Sequence, residues 1–390
     1  MEHNNVSKRV AATILSMSLL TVMAGAAIAP ALGIIKAHFA WAPSLLIQLI
    51  VSMPALLIII TNILFLQLSR RVSTRLIAII GLLLYVASGV GCFLVDDIYF
   101  LLGLRALLGV SVGLIMPLST GLLAFYFPPE QQARLMGLSA AMNQMGGVVA
   151  TLLAGLLATV QWNYAFLVYL MGLIAVVMVV LWLPAEHLGA HDKSGMPFKA
   201  RQLLKFHPSV TGMLLLMIVF FIFPTNFAII AKQQTSMSSQ SITMIMVGLD
   251  VVAFFVGLAF GNLMHSFRTI IKYFAPLFFA MGYCLYLVPS MAMIVLGSIF
   301  IGIACGVGVP YLNTIASIKG GSTAAITVMP LLSAALYLGQ FLSPLIVTPL
   351  ASVLFGNGDI AGPYKVGIII SIIFFAQVWA TRHFQSLPPE

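Results

Sequence analysis

Apolar runs of about twenty residues, each long enough to cross a ~30 Å hydrocarbon layer as a helix, recur twelve times along this chain. A water-soluble core has no room for so many. In lipid, by contrast, the backbone must satisfy its own hydrogen bonds, and a helix does so within one segment. The runs fall roughly at 9–35, 43–67, 75–95, 98–124, 134–160, 163–183, 209–231, 240–264, 273–290, 291–315, 323–350 and 363–381. With 61% of the 390 residues hydrophobic and 7% charged, little polar surface is left for a soluble domain. The expectation is an all-α membrane protein of twelve transmembrane helices.

Charge placement sets the orientation, because short cytoplasmic loops collect Lys and Arg. With the N-terminus inside, Lys36, Lys232 and Lys365 fall on outer loops and fourteen other Lys and Arg residues on inner ones. That pattern predicts a multi-pass plasma-membrane protein with both termini cytoplasmic and the lipid bilayer as its surroundings. The net charge of +9 is scattered over short loops and forms no stripe, so no nucleic-acid partner is expected. Cys92, Cys284 and Cys305 sit in apolar runs without CxxC spacing and read as packing residues. Lys8, Arg9 and "AGAAIA" (24–29) look like a cleavable signal, but the apolar run continues to about Ile35, so the segment reads as the first span.

The long polar stretch "PAEHLGAHDKSGMPFKARQLLKFHP" divides the chain into residues 1–183, a cytoplasmic linker 184–208, and residues 209–390. The halves echo one another at a nearly constant offset. Arg105, Gly109, Gly113 and Pro117 match Ser298, Gly302, Gly306 and Pro310 at 193; "SAAMNQMG" (139–146) matches "SAALYLGQ" (333–340) at 194; "LSRRVSTR" (68–75) matches "GNLMHSFR" (261–268) at 193. Recurrence at one period is the mark of duplication, so two pseudo-symmetric six-helix halves are expected.

Two charges lie deep in apolar runs. Arg105, in "LLGLRALLGVSVGLIMP" (101–117), costs ~2.5–3.5 kcal/mol at a span centre even on the lenient insertion scale. It shares a helix face with Leu108, Gly109, Val112 and Gly113, whose glycines form a groove for a neighbouring helix. Its five donors can clamp backbone carbonyls or take part in proton coupling or substrate contact, and both roles stay open. Asp250, in "MIMVGLDVVAFFVG" (244–257), is the one acidic residue within a span. Low dielectric disfavours its charged form, so it can take up and release a proton as water reaches it from either side. Met246 and Phe254 share its face. Asn143, Gln144, Asn226 and Gln340 near midspan, with Asn313 and Tyr337, are the candidate substrate contacts. One mid-span arginine is a poor match for a phosphorylated cargo, whereas 26 Phe and 21 Met can supply adaptable apolar walls.

Enzyme chemistry finds no footing. Gly109, Ser111 and Gly113 spell GxSxG inside a continuous apolar helix rather than at a strand–turn–helix elbow. No GxxxxGK[ST] occurs, so the chain is expected to draw work from an ion gradient or to run downhill. His187, His191 and Asp192 read as a solvated linker cluster. No cofactor and no metal are expected.

The run Arg105, Gly109, Gly113 resembles the fourth-span motif of the major facilitator superfamily, and the likeness extends over essentially the whole chain. The superfamily's loop motif GxLxDRxGRR is similar to "LQLSRRVSTR" (66–75), which keeps Leu68, Arg71 and Arg75 and departs at Leu66, Arg70, Ser73 and Thr74. The resemblance implies the major facilitator fold. It makes Arg71 and Arg75, with His265 and Arg268 in the C-terminal copy, conformational-loop residues, and it places spans 1, 4, 7 and 10 around a cavity. "NQMGGVVATLLAG" (143–155) resembles the drug/proton antiporter signature, with Ala150 and Thr151 in place of its Gly and Pro, and "APALGII" (29–35) resembles the drug-exporter branch. It thus implies a monomeric secondary active transporter, with protons and a small-molecule substrate as partners. Proton-coupled export of small lipophilic compounds, cationic ones included, by alternating access is the expected function. The alternatives are proton-coupled transport of a polar metabolite (sugar, opine or amino-acid derivative) and a non-transporting membrane sensor.

Overall fold

The computed structural model describes residues 2–69, 71–127, 129–184, 204–234, 237–320, 328–356 and 358–382. Every regular element among them is helical, and the chain divides into two compact units, residues 1–195 and 196–390. Most of the stretch read as a linker lies outside the described residues.

In the first unit α1 (Glu2–Ala26) is followed by a 3-10 turn (Ala29–Ala31) and α2 (Leu32–His38), which together make the first span. Next come α3 (Ser44–Ser69), α4 (Thr74–Gly91), α5 (Ile98–Tyr126), α6 (Pro129–Ala158) and a 3-10 segment (Trp162–Met171) that runs into α7 (Gly172–Trp182). The second unit contains α8 (His207–Gln234), α9 (Ser239–Ser266), α10 (Phe274–Tyr286), α11 (Met291–Gly320), α12 (Met329–Phe355) and α13 (Gly362–Ala380). Two helix starts carry side-chain caps among the described residues: Asp97 accepts from the Phe100 N–H at 2.8 Å and Ser238 from the Ser241 N–H at 3.1 Å.

Among the described residues, 11 segments are long and apolar enough to cross a membrane. The remaining expected span, 273–290, the ninth in chain order, is shorter as a helix: α10 stops at Tyr286, ahead of Pro289, and covers only ~20 Å. Its place in the packing is nonetheless regular. It lies on α11 and α13 as α4 lies on α5 and α7. The pairs α3·α5 and α1·α6 of the first unit likewise recur as α9·α11 and α8·α12.

Glycines set these contacts, because without a hydrophobic drive between helices in lipid, close backbone approach is what holds them. A Cβ on Gly109 would overlap the Pro54 carbonyl of α3, and one on Gly113 would lie 2.6 Å from Thr61 Cβ. The second unit repeats this: a Cβ on Gly302 would lie 2.9 Å from the Leu249 oxygen and one on Gly306 2.7 Å from the Ala253 oxygen, both on α9. The paired "SAA" segments are also packing faces: Gly146 meets Leu19 of α1, and Gly339 meets Leu214 and Met217 of α8.

Candidate functional site

Arg105 of the first unit and Asp250 of the second mark two deep polar centres, and they differ in kind. In the first, Arg105 projects from α5 and is 0% exposed. Its Nε donates to the Ile50 carbonyl at 2.6 Å, Nη1 to the Tyr169 hydroxyl at 2.6 Å, and Nη2 to the Ala24 carbonyl. Both carbonyls are orphans of their own helices. Residue 54 is proline and has no N–H to give Ile50 in α3. Ala24 stands in the last turn of α1, beyond which the helix breaks. The arginine therefore closes two gaps in the backbone ladder, and the partial negative charge at the end of α1 favours a cation there.

Tyr169 completes this centre, and the sequence reading missed it. Its hydroxyl also lies 3.3 Å from the Ala24 oxygen, and its ring centroid 5.5 Å from both the guanidinium carbon and the Tyr85 ring. In the 3-10 segment side chains three apart eclipse, which lines up Phe166 and Tyr169 and carries the row on to Gly172. Tyr169 packs on Gly89 and Tyr85 on Gly172. The signal was present as an internal echo: about 195 residues later Tyr283 packs on Gly367 and stacks 6.0 Å from Tyr364. There Ser298 stands in place of Arg105, and its hydroxyl pairs with the Tyr286 hydroxyl at 2.6 Å.

In the second unit Asp250 sits near the middle of α9, half-buried, between the residues that carry the Gly302 and Gly306 contacts. Its carboxyl is an electrostatic neighbour of Cys305 on α11. The Gly248, Gly257 and Gly261 positions of the same helix face open space. Of its expected companions, Met246 is buried and Phe254 half-buried.

The uncharged candidates divide between the units. Asn143 of α6 accepts from the Thr21 hydroxyl of α1 at 2.7 Å, and Gln144 beside it is exposed. Asn226 is buried in α8, donating to the Ile222 carbonyl and the Thr225 hydroxyl at 3.0 Å each. Gln340 of α12 points its amide at Met217 Sδ, 4.0 Å away, while Asn313 and Tyr337 are half-buried. Among the loop residues, Arg75 donates to the Val180 carbonyl near the end of α7, Arg71 and His265 are exposed, and Arg268 is half-buried. Cys92, Cys284 and Cys305 are unbridged, and no metal-holding cluster occurs among the described residues.

The profile of the family described as Major Facilitator Superfamily matches residues 14–344. The chain is 32% identical over 91 residues to a probable chloroplastic anion transporter of Arabidopsis thaliana, a match covering 23% of this chain and 17% of that protein. It is 25% identical over 237 residues to the quinolone resistance protein NorA of Staphylococcus aureus, covering 58% of each. The chain thus matches less than two thirds of either relative's length. A bacterial homologue of the human lysosomal transporter Spinster, solved inward-facing and occupied, superposes with a TM-score of 0.78 at 15% identity, covering 98% of this chain and 99% of that one. At that identity the likeness is one of fold.

Proposed function

We propose, for a chain that belongs to the Major Facilitator Superfamily, that it is a proton-coupled exporter of small lipophilic compounds, cationic ones included. The family makes it a multi-pass membrane transporter rather than an enzyme; coupling, direction and cargo are the inference. One observation carries it: the two charges deep in the spans are not equivalent. Arg105 is enclosed and spends its donors on its own unit's backbone, whereas Asp250 is half-buried on a helix with an open face.

A carboxyl in that setting binds a proton when the surroundings are dry and releases it when water enters. As access alternates between the two sides of the membrane, each uptake and release moves one proton. With Arg105 consumed, a mid-span cation is not on offer to an anionic cargo, which favours neutral and cationic molecules over phosphates and carboxylates. The partial likeness to a quinolone resistance protein supports the same reading. Arg105 then acts as the clamp that keeps the first unit rigid, and Asn143, Gln144, Asn226, Gln340, Asn313, Tyr337, Met246 and Phe254 are the proposed cargo contacts. Arg71, Arg75, His265 and Arg268 are the proposed conformational-loop residues, in the plasma membrane with both termini cytoplasmic.

The test is flux of a lipophilic cation into proteoliposomes with and without an imposed pH gradient. Asp250→Asn should lose gradient-driven accumulation, by tenfold or more in rate (about 1.4 kcal/mol), and keep the melting temperature of the wild type. Undiminished pH-driven flux in that variant would remove Asp250 from the mechanism. A panel in which one polar metabolite alone is carried would replace the export reading.

A further inference from the structure

The Arg105 centre of the first unit has a counterpart in the second from which the cation is missing. Tyr364 of α13 stands 195 residues after Tyr169, and Ser298 stands 193 after Arg105. In the first unit the guanidinium lies 5.5 Å from the Tyr169 centroid and donates to its hydroxyl. In the second, no Lys or Arg among the described residues lies over the Tyr364 ring. Tyr364 is 3% exposed, yet its hydroxyl makes no hydrogen bond among the described residues. The adjacent lysine is engaged elsewhere, with Lys365 Nζ 2.6 Å from Asp359 and 5.1 Å from the Phe355 centroid.

Beside Tyr364 is a small cavity bounded by the rings of Phe227, Tyr286 and Tyr364 and by Ile294. It holds about 10 Å³, room for one water-sized group. The rings adjoin, with the Phe227 and Tyr286 centroids 5.7 Å apart and those of Tyr286 and Tyr364 5.0 Å apart. Because the Tyr286 hydroxyl is paired with Ser298, the Tyr364 hydroxyl is left for whatever enters. Gln234 and Pro289 are the exposed members of the wall, so the space opens where α8 and α10 finish and α11 and α13 begin.

Aromatic faces attract a cation through their quadrupole, and a phenol oxygen accepts its N–H. The first unit already uses both interactions on its own guanidinium. We propose that the cavity of the second unit takes the primary ammonium of a small organic amine, held by the faces of Phe227, Tyr286 and Tyr364 and by the Tyr364 hydroxyl, with the carbon tail leaving past Gln234 and Pro289. A primary ammonium is about the size of a water molecule and fits; a quaternary one exceeds the space. In the orientation proposed above, the site opens outward, where a cationic cargo is released. That placement rests on the export reading, whereas amine binding does not, since none of the lining residues belongs to α9, the helix of Asp250.

The experiment titrates the full chain, in lipid-free detergent, with n-butylammonium by calorimetry. n-Butylammonium should bind and raise the melting temperature, while 1-butanol, which lacks the charge, and tetramethylammonium, which exceeds the cavity, should bind on the order of tenfold more weakly. Tyr364→Phe keeps the ring and deletes a hydroxyl that has no partner, so it should melt like the wild type and bind n-butylammonium about tenfold more weakly. Ala231→Leu, which fills the space from the wall, should abolish binding. Asp250→Asn should bind the amine as the wild type does, which separates this site from proton coupling. Equal binding by Tyr364→Phe and wild type overturns the proposal, as does a cavity that holds water alone, seen as no binding of n-butylammonium to the wild type. Retention of phosphatidylethanolamine without binding of n-butylammonium overturns it in favour of a lipid headgroup.

Discussion

At Arg105 the side chain answers a defect made elsewhere in the chain. Removing it strands the Ile50 carbonyl and takes the charged donor from the Ala24 carbonyl and the Tyr169 hydroxyl, which keep their 3.3 Å bond to each other, at ~1–3 kcal/mol for a buried group left unsatisfied. Arg105→Ala should therefore sharply lower the temperature of thermal unfolding in detergent, and Arg105→Lys, whose compact ammonium cannot span three acceptors, should recover only part of the loss. Tyr169→Phe keeps the ring on Gly89 and deletes one bond to a charged donor, so an intermediate loss of ~1.5–3 kcal/mol is expected. Unchanged unfolding in all three variants would show that the clamp contributes nothing. That Arg105 points inward was legible from its glycine neighbours. Its acceptors were not, because a carbonyl freed by a proline on another helix leaves no trace in the local pattern.

At the scale of elements, Pro54 and the Arg105 face of α5 are one device. Pro54→Ala restores an N–H to the Ile50 carbonyl, so the penalty of Arg105→Ala should shrink in that background by ~1 kcal/mol, read as the coupling energy of a double-mutant cycle. Additive effects would mean the two sites are independent. Glycine positions give a second contrast. Gly109→Ala and Gly306→Ala drive a methyl into backbone on the facing helix and should cost ~1–3 kcal/mol in unfolding, whereas Gly257→Ala meets nothing within 4 Å and should be neutral or stabilising. The echo of Arg105-Gly-Gly in Ser298-Gly-Gly marked both faces from residue spacing alone. The echo of Tyr85 and Gly172 in Tyr283 and Gly367 was equally present but passed unnoticed, since a tyrosine in an apolar run looks ordinary until its partner glycine on another helix is known.

For the molecule as a whole, orientation is the property most open to test. In a cysteine-free background, Val160→Cys and Gly358→Cys should react with a membrane-impermeant maleimide in intact cells, and Arg71→Cys and Lys205→Cys only after permeabilisation; all four positions are exposed. The reverse pattern would invert the topology that the placement of basic residues implies. The two units are built alike in their helix pairs and glycine contacts, yet the deep polar group of one is a sealed guanidinium and that of the other a half-open carboxyl. Duplication supplies the scaffold, and departure from it marks where function is to be sought.

What the amino-acid order determined by itself was everything that follows from solvent and period: helices long enough for lipid, their number to within the short α10, the two halves, and the glycine faces that join helices. These are local or repeated quantities, and hydrophobicity and spacing encode them directly. Only the tertiary structure decided which carbonyls Arg105 holds, that Tyr169 shares the work, and that Tyr364 meets Phe227 and Tyr286 around one cavity. Each of those depends on helices far apart in the chain meeting at a distance of a few ångströms, and no periodicity within a single helix carries that information.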